Sequence, residues 1–117
     1  MSNATSITIS LSDVPPGKMH VCGAGKREIL ICRTKHGIYA VDNICTHAYA
    51  RLNEGRLRGT RVVCPLHGAA FDVRDGRVLG RPAIEPLVTH AVTVTGDCIE
   101  ISIAAGDRGA LGESARS

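Results

Sequence analysis

Two short segments constrain this chain more than anything else in it. Cys45-Thr46-His47 and Cys64-Pro65-Leu66-His67-Gly68 each place a thiol and an imidazole on one tight turn, with sixteen residues between His47 and Cys64. Each segment lies between stretches of β-type patterning. A rigid strand framework could therefore present the two loops side by side. Gly68 and Pro65 suit such a turn, because glycine tolerates left-handed backbone and proline fixes its own φ.

The rest of the pattern agrees with an all-β chain. Ile7 and Ile9 alternate with polar neighbours, as a half-buried strand requires. Met19 to Cys22 reads as a second strand turning at Gly23-Ala24-Gly25. Glu28 to Arg33 and Ile38 to Val41 flank Thr34-Lys35-His36-Gly37 and read as a hairpin. Residues 43–58 read as loop, Arg61 to Val63 as strand, 64–69 as a second loop, and Phe71 to Val73 as strand again. Val78 and Leu79 follow the Arg74-Asp75-Gly76 turn. Thr89 to Thr95 and Cys98 to Ile103 form a hairpin around Gly96-Asp97, with Val92, Val94, Ile99, Ile101 and Ile103 on one alternating row. No segment has the period of an amphipathic helix. Many short strands with Gly and Pro turns predict a small sandwich or barrel of antiparallel sheets. One domain over residues 1–103 is expected, with the two loops in 43–70 and a flexible tail over 104–117.

Composition narrows the classes. The 117 residues include only two Tyr, one Phe and no Trp, so the core must be aliphatic. The net charge of +3 is modest, and no dense basic stripe with stacking aromatics points to nucleic acid. No apolar run is long enough to cross a bilayer. Met1 to Ser12 has neither a basic n-region nor an apolar h-region, so a cytoplasmic location is expected. Five cysteines, an odd number, do not suggest a disulfide framework. Cys22, Cys32 and Cys98 lie in apolar strand-like segments and read as buried small hydrophobes. His20, His36 and His90 have no cysteine nearby and read as surface or packing residues.

The donor set has a chemical logic. Thiolates suit iron–sulfur clusters and imidazole suits iron. Two thiolates can hold one iron of a [2Fe–2S] cluster while two neutral imidazoles hold the other, which raises the potential. Zinc also accepts two Cys and two His, but its fingers usually pair Cys with Cys and His with His.

Taken together, the two segments resemble the Rieske motif pair. The similarity extends through Ile38-Tyr39-Ala40-Val41-Asp42, Leu52-Asn53-Glu54-Gly55, Phe71-Asp72 and Gly80-Arg81-Pro82-Ala83, and covers roughly residues 5 to 103. Within that family the chain is similar to the ferredoxins of bacterial ring-hydroxylating dioxygenase systems of aromatic catabolism. The resemblance implies a Rieske-type sandwich and a [2Fe–2S] cluster on Cys45, His47, Cys64 and His67. It also implies one-electron transport from a NAD(P)H-dependent ferredoxin reductase to a terminal oxygenase, with no catalysis by the chain alone. Alternatives are the small subunit of a nitrite-reductase-like complex and a zinc-stabilised binding module. The quinol-oxidising Rieske branch carries an extra cysteine in each loop, where this chain has Ala50 and Leu66. It also carries a serine and a tyrosine where this chain has Ala69 and Phe71. Fewer donors to the cluster imply a potential low in the Rieske range.

Between Arg51 and Arg81 stand seven arginines and only three acids, Glu54, Asp72 and Asp75. A positive rim near the loops is therefore expected, suited to an acidic partner.

Overall fold

The computed structural model describes residues 5–46, 50–66, 68–81 and 85–104. Among them are ten strands and no α-helix: β1 (Thr5–Ser10), β2 (Met19–Ala24), β3 (Arg27–Thr34), β4 (Gly37–Asp42), β5 (Arg56–Arg58), β6 (Arg61–Val63), β7 (Ala70–Asp72), β8 (Val78–Gly80), β9 (Thr89–Thr95) and β10 (Cys98–Ile103). They form two antiparallel sheets, one of six strands in the order β1-β10-β9-β4-β3-β2 and one of four in the order β5-β6-β7-β8.

The continuous apolar run Ile29-Leu30-Ile31-Cys32 is explained by burial on both faces of β3. Leu30 and Cys32 point into a core shared with Val41, Leu52, Val62, Phe71, Val73 and Leu87, which joins the two sheets. Ile29 and Ile31 point the other way, against Val14, Ala40, Ile99, Ile101 and Ile103. The larger sheet thus closes on itself over the second core and packs on the smaller sheet through the first. Phe71 is the largest fully buried side chain among the described residues and sits at that junction.

Several expectations need correction. The 43–58 stretch is not all loop: it contains a 3-10 turn (Leu52–Glu54) and β5. A three-residue strand with a single apolar side chain, Leu57, is too short to show alternation. The strand begun at Met19 runs on through Ala24, so the turn falls at Gly25 and Lys26. The strand expected over Phe71 to Val73 is shifted back by one residue. The inward row of β9 fades along its length: His90 is buried, Val92 half-buried, and Val94 45% exposed. Cys98 is exposed rather than buried, and Cys22 is only half-buried, whereas Cys32 is buried as expected. Cys22 and Cys32 pack into different cores. Residues 105–117, which contain nearly all of the expected tail, lie outside the described residues.

Candidate metal centre

Each loop is closed by the same hydrogen bond. The Cys45 N–H donates to the Ala50 carbonyl at 2.9 Å, and the Cys64 N–H to the Ala69 carbonyl at 2.7 Å. In both cases a cysteine donates to the fifth residue after it. The first loop is pinned further by a bridge between Ile44 and Arg51, the second by the Val63–Ala70 pair of β6 and β7. The two loops are thus closed alike at their ends, each opening on its cysteine.

The loops bring the two thiols together. Cys45 is 1% exposed and Cys64 2%, and neither is in a disulfide. Burial pushes the Cys64 thiol up, and the neighbouring Cys45 side chain, hydrogen-bonded to it, adds to the rise. The Leu66 N–H opposes this by donating to Cys64 Sγ at 3.4 Å. Such a pair is costly to ionise without a cation between the sulfurs, and a backbone donor beside a sulfur favours its thiolate form. Two buried, adjacent thiols with a backbone donor therefore fit the sulfur half of a metal centre. His47 and His67, the expected nitrogen half, lie outside the described residues. Among the described residues, accordingly, no group of three or more ligating side chains comes together.

The base of the first loop is held by a polar network that sequence reasoning missed. Asn43 is fully buried. Its amide nitrogen donates to Glu28 Oε1 at 3.0 Å and to Asn53 Oδ1 at 2.8 Å, and its Oδ1 accepts from the Asn53 N–H at 3.0 Å. Arg51 Nε donates to both Glu28 oxygens, at 3.0 and 3.1 Å. The hydrogen bond from Arg51, then that from Asn43, holds the Glu28 carboxyl below its usual range. On the far side of the loop, Thr46 Oγ1 donates to the Glu85 carbonyl at 2.7 Å. The second loop depends on Gly55, where a Cβ would collide with the Val63 carbonyl oxygen and crowd the Pro65 ring.

His90 proves to be more than a surface or packing residue, through its pairing with Asp42. Asp42 Oδ1 lies 2.9 Å from His90 Nε2 and 3.1 Å from an Arg27 guanidinium nitrogen, while His90 Nδ1 accepts from the Ala104 N–H at 3.0 Å. That acceptor role puts the ring proton on Nε2, facing Asp42. The network ties β3, β4 and β9 to the residue after β10.

Residues 6–94 match the model of the Rieske [2Fe-2S] domain. The chain belongs to that family. Its cofactor is one Rieske-type [2Fe–2S] cluster, which supplies reversible uptake of a single electron. Known relatives agree. The ferredoxin component of the naphthalene 1,2-dioxygenase system of Pseudomonas aeruginosa is 34% identical over 95 residues, 81% of this chain and 91% of that protein. The biphenyl 2,3-dioxygenase ferredoxin component of Rhodococcus jostii is 36% identical over 97 residues, 83% of this chain and 91% of its own. Among solved structures, the ferredoxin of carbazole 1,9a-dioxygenase from Nocardioides aromaticivorans superposes with a TM-score of 0.78 at 30% identity. It covers 83% of this chain and 96% of that one. These relatives are electron-carrying components, and so is this Rieske domain. A nitrite reductase small subunit from Mycobacterium tuberculosis shares the fold at 19% identity, which speaks to architecture alone.

Proposed function

We propose that Cys45 and Cys64 hold one iron of the cluster and His47 and His67 the other. In this reading the chain takes single electrons from a NAD(P)H-dependent flavin reductase and passes them to a terminal Rieske oxygenase in the cytoplasm. The domain spans residues 1–103, with the ligating loops within 43–70. The observation that carries this reading is the meeting of two buried thiols at the heads of two equivalently closed loops. The protein's own part is to hold the thiols adjacent, direct the Leu66 N–H at one sulfur, and keep water from both. Among the described residues no helix is long and apolar enough to cross a membrane. A ferredoxin bound to the oxygenase of carbazole 1,9a-dioxygenase also superposes on this chain, at a TM-score of 0.79 and 30% identity.

The test is reconstitution. Product formation by a terminal oxygenase from NADH should require all three components, with the bleached visible spectrum of the reduced chain returning when oxygenase is added. Reduced chain that stays bleached in the presence of oxygenase, yet is reoxidised by an assimilatory nitrite reductase, would favour the subunit reading.

A further inference from the structure

The seven arginines between Arg51 and Arg81 are not equivalent in the folded chain. Arg51 is paired with Glu28, Arg74 with Asp72, and Arg77 with both Asp72 and Asp75. Those pairs cancel much of the expected rim. Of the four arginines left without an ion pair among the described residues, three stand on the β5–β6 hairpin and the fourth, Arg81, follows β8. Arg56, Arg58 and Arg61 are all exposed, and none has an ion-pair partner among the described residues.

The strand register puts the three on one face. Arg56 pairs with Val63 and Arg58 directly with Arg61. Paired residues, and residues two apart on a strand, point to the same side. The other side of the hairpin, Leu57 and Val62, packs into the core with Phe71. Like charges directly opposite one another cost stability in a sheet. The one acid in the same row, Asp72 opposite Arg61, is buried and already bonded to Arg74 and Arg77. Lys18, also exposed, faces Arg56 and Arg58 across a groove of about 450 Å³ lined by Gly17, Met19 and Leu57. The patch borders the metal centre, because Val63, the partner of Arg56, immediately precedes Cys64.

We propose that the outer face of the β5–β6 hairpin, Arg56, Arg58 and Arg61 with Lys18 across the groove, is a docking surface for a carboxylate-rich face of a protein redox partner. The proposal rests on the electron-carrier reading and deepens it. Four cations and no aromatic side chain suit a folded protein's carboxylates better than nucleic acid. Tight nucleic-acid binding uses more phosphate contacts or stacking platforms. A partner seated here would be steered by charge and brought within reach of the adjoining loop, with an association that weakens as salt rises.

The test uses the cluster-loaded protein and poly-L-glutamate as the probe, with wild type, R58E/R61E, the milder R58Q/R61Q, and K26E/K35E. The last changes net charge as much as R58E/R61E but sits on the exposed turns after β2 and β3. Wild type should bind at about 20 mM salt and lose roughly tenfold in affinity by about 200 mM. R58E/R61E should lose about tenfold at the lower salt, R58Q/R61Q less, and K26E/K35E under about twofold. Equal losses in R58E/R61E and K26E/K35E, or no binding by wild type, would overturn the proposal. Tighter binding to duplex DNA or to phosphatidylserine vesicles than to poly-L-glutamate would overturn the choice of partner. The visible spectrum and its bleaching by dithionite are recorded for every variant. Their loss in wild type would refute the electron-carrier reading itself, whereas intact spectra with failed binding would refute only the docking surface.

Discussion

Asn43 and Asn53 are locked to each other in both directions: the Asn43 side chain donates to Asn53 Oδ1 at 2.8 Å and accepts from the Asn53 backbone N–H at 3.0 Å. Asn43 ends the segment that leads into Cys45, and Asn53 lies just past the loop's return, so the pair closes the base of the first loop. Asn43→Ala would take the acceptor from the Asn53 N–H and remove a partner from Glu28, at a cost of about 1–3 kcal/mol. The thermal midpoint of that variant should fall by roughly 4–12 °C. A calorimetric scan matching wild type would show that the pair is dispensable.

Ala69 and Phe71 are both fully buried at the second loop and its following strand, and neither side chain can donate a hydrogen bond. The wild-type midpoint is therefore expected on the order of −150 mV, the low end of the Rieske range. Ala69→Ser adds a hydroxyl beside the loop and should raise the potential. Redox titration of the pair checks this, and an unchanged or lower midpoint in the variant would remove donor count as the cause.

The Asp72 carboxyl is held below its usual range, first by the Arg74 side chain against the opposing effect of burial, then by the Arg74 N–H and the two guanidinium charges. A lowered folded pKa gives stability that is present above the unfolded value, near 4, and is lost as pH falls through the folded value. Denaturation midpoints of D72N should lie below wild type at neutral pH, with the gap narrowing below about pH 4. A gap that stays constant over that range would mean that charge on Asp72 contributes nothing.

The free cysteines should separate by reactivity. Burial pushes the Cys32 thiol up to about 12, and no solvent reaches it. Cys98 is exposed at the start of β10. Iodoacetamide on native protein should label Cys98 first and leave Cys32 untouched until unfolding, as peptide mass mapping would read. Labelling of Cys32 in the native state would contradict its place in the core.

Gly68 has φ of +74°, where a side chain is strained although space is open. Gly68→Ala should cost about 1 kcal/mol. Gly55→Ala meets the Val63 carbonyl instead, at a negative φ, and should cost more and lower iron content. Equal thermal midpoints for the two variants would argue against the close approach of 55 and 63.

The thiol half of the site is legible in sequence because its spacing forces each cysteine onto a tight turn, and the core strands because alternation of Ile and Val survives over five or more residues. β5 is not, since Arg-Leu-Arg carries one apolar position. The Asn43–Glu28–Asn53 network is invisible because its members are 10 and 15 residues apart and meet only once β3 and β4 pair. His90 likewise looks idle in sequence, because its partners Asp42 and Ala104 are distant in the chain. The excess of arginine shows in composition, but its place on the surface does not. Which arginines are neutralised depends on register, not on count.

Two histidine nitrogens and two cysteine sulfurs of this chain are proposed to hold the cluster. Electron–nuclear double resonance on dithionite-reduced protein carrying ¹⁵N-histidine tests it most directly. Two strongly coupled histidine nitrogens are expected on the reduced cluster. A spectrum with no coordinated histidine nitrogen would contradict it.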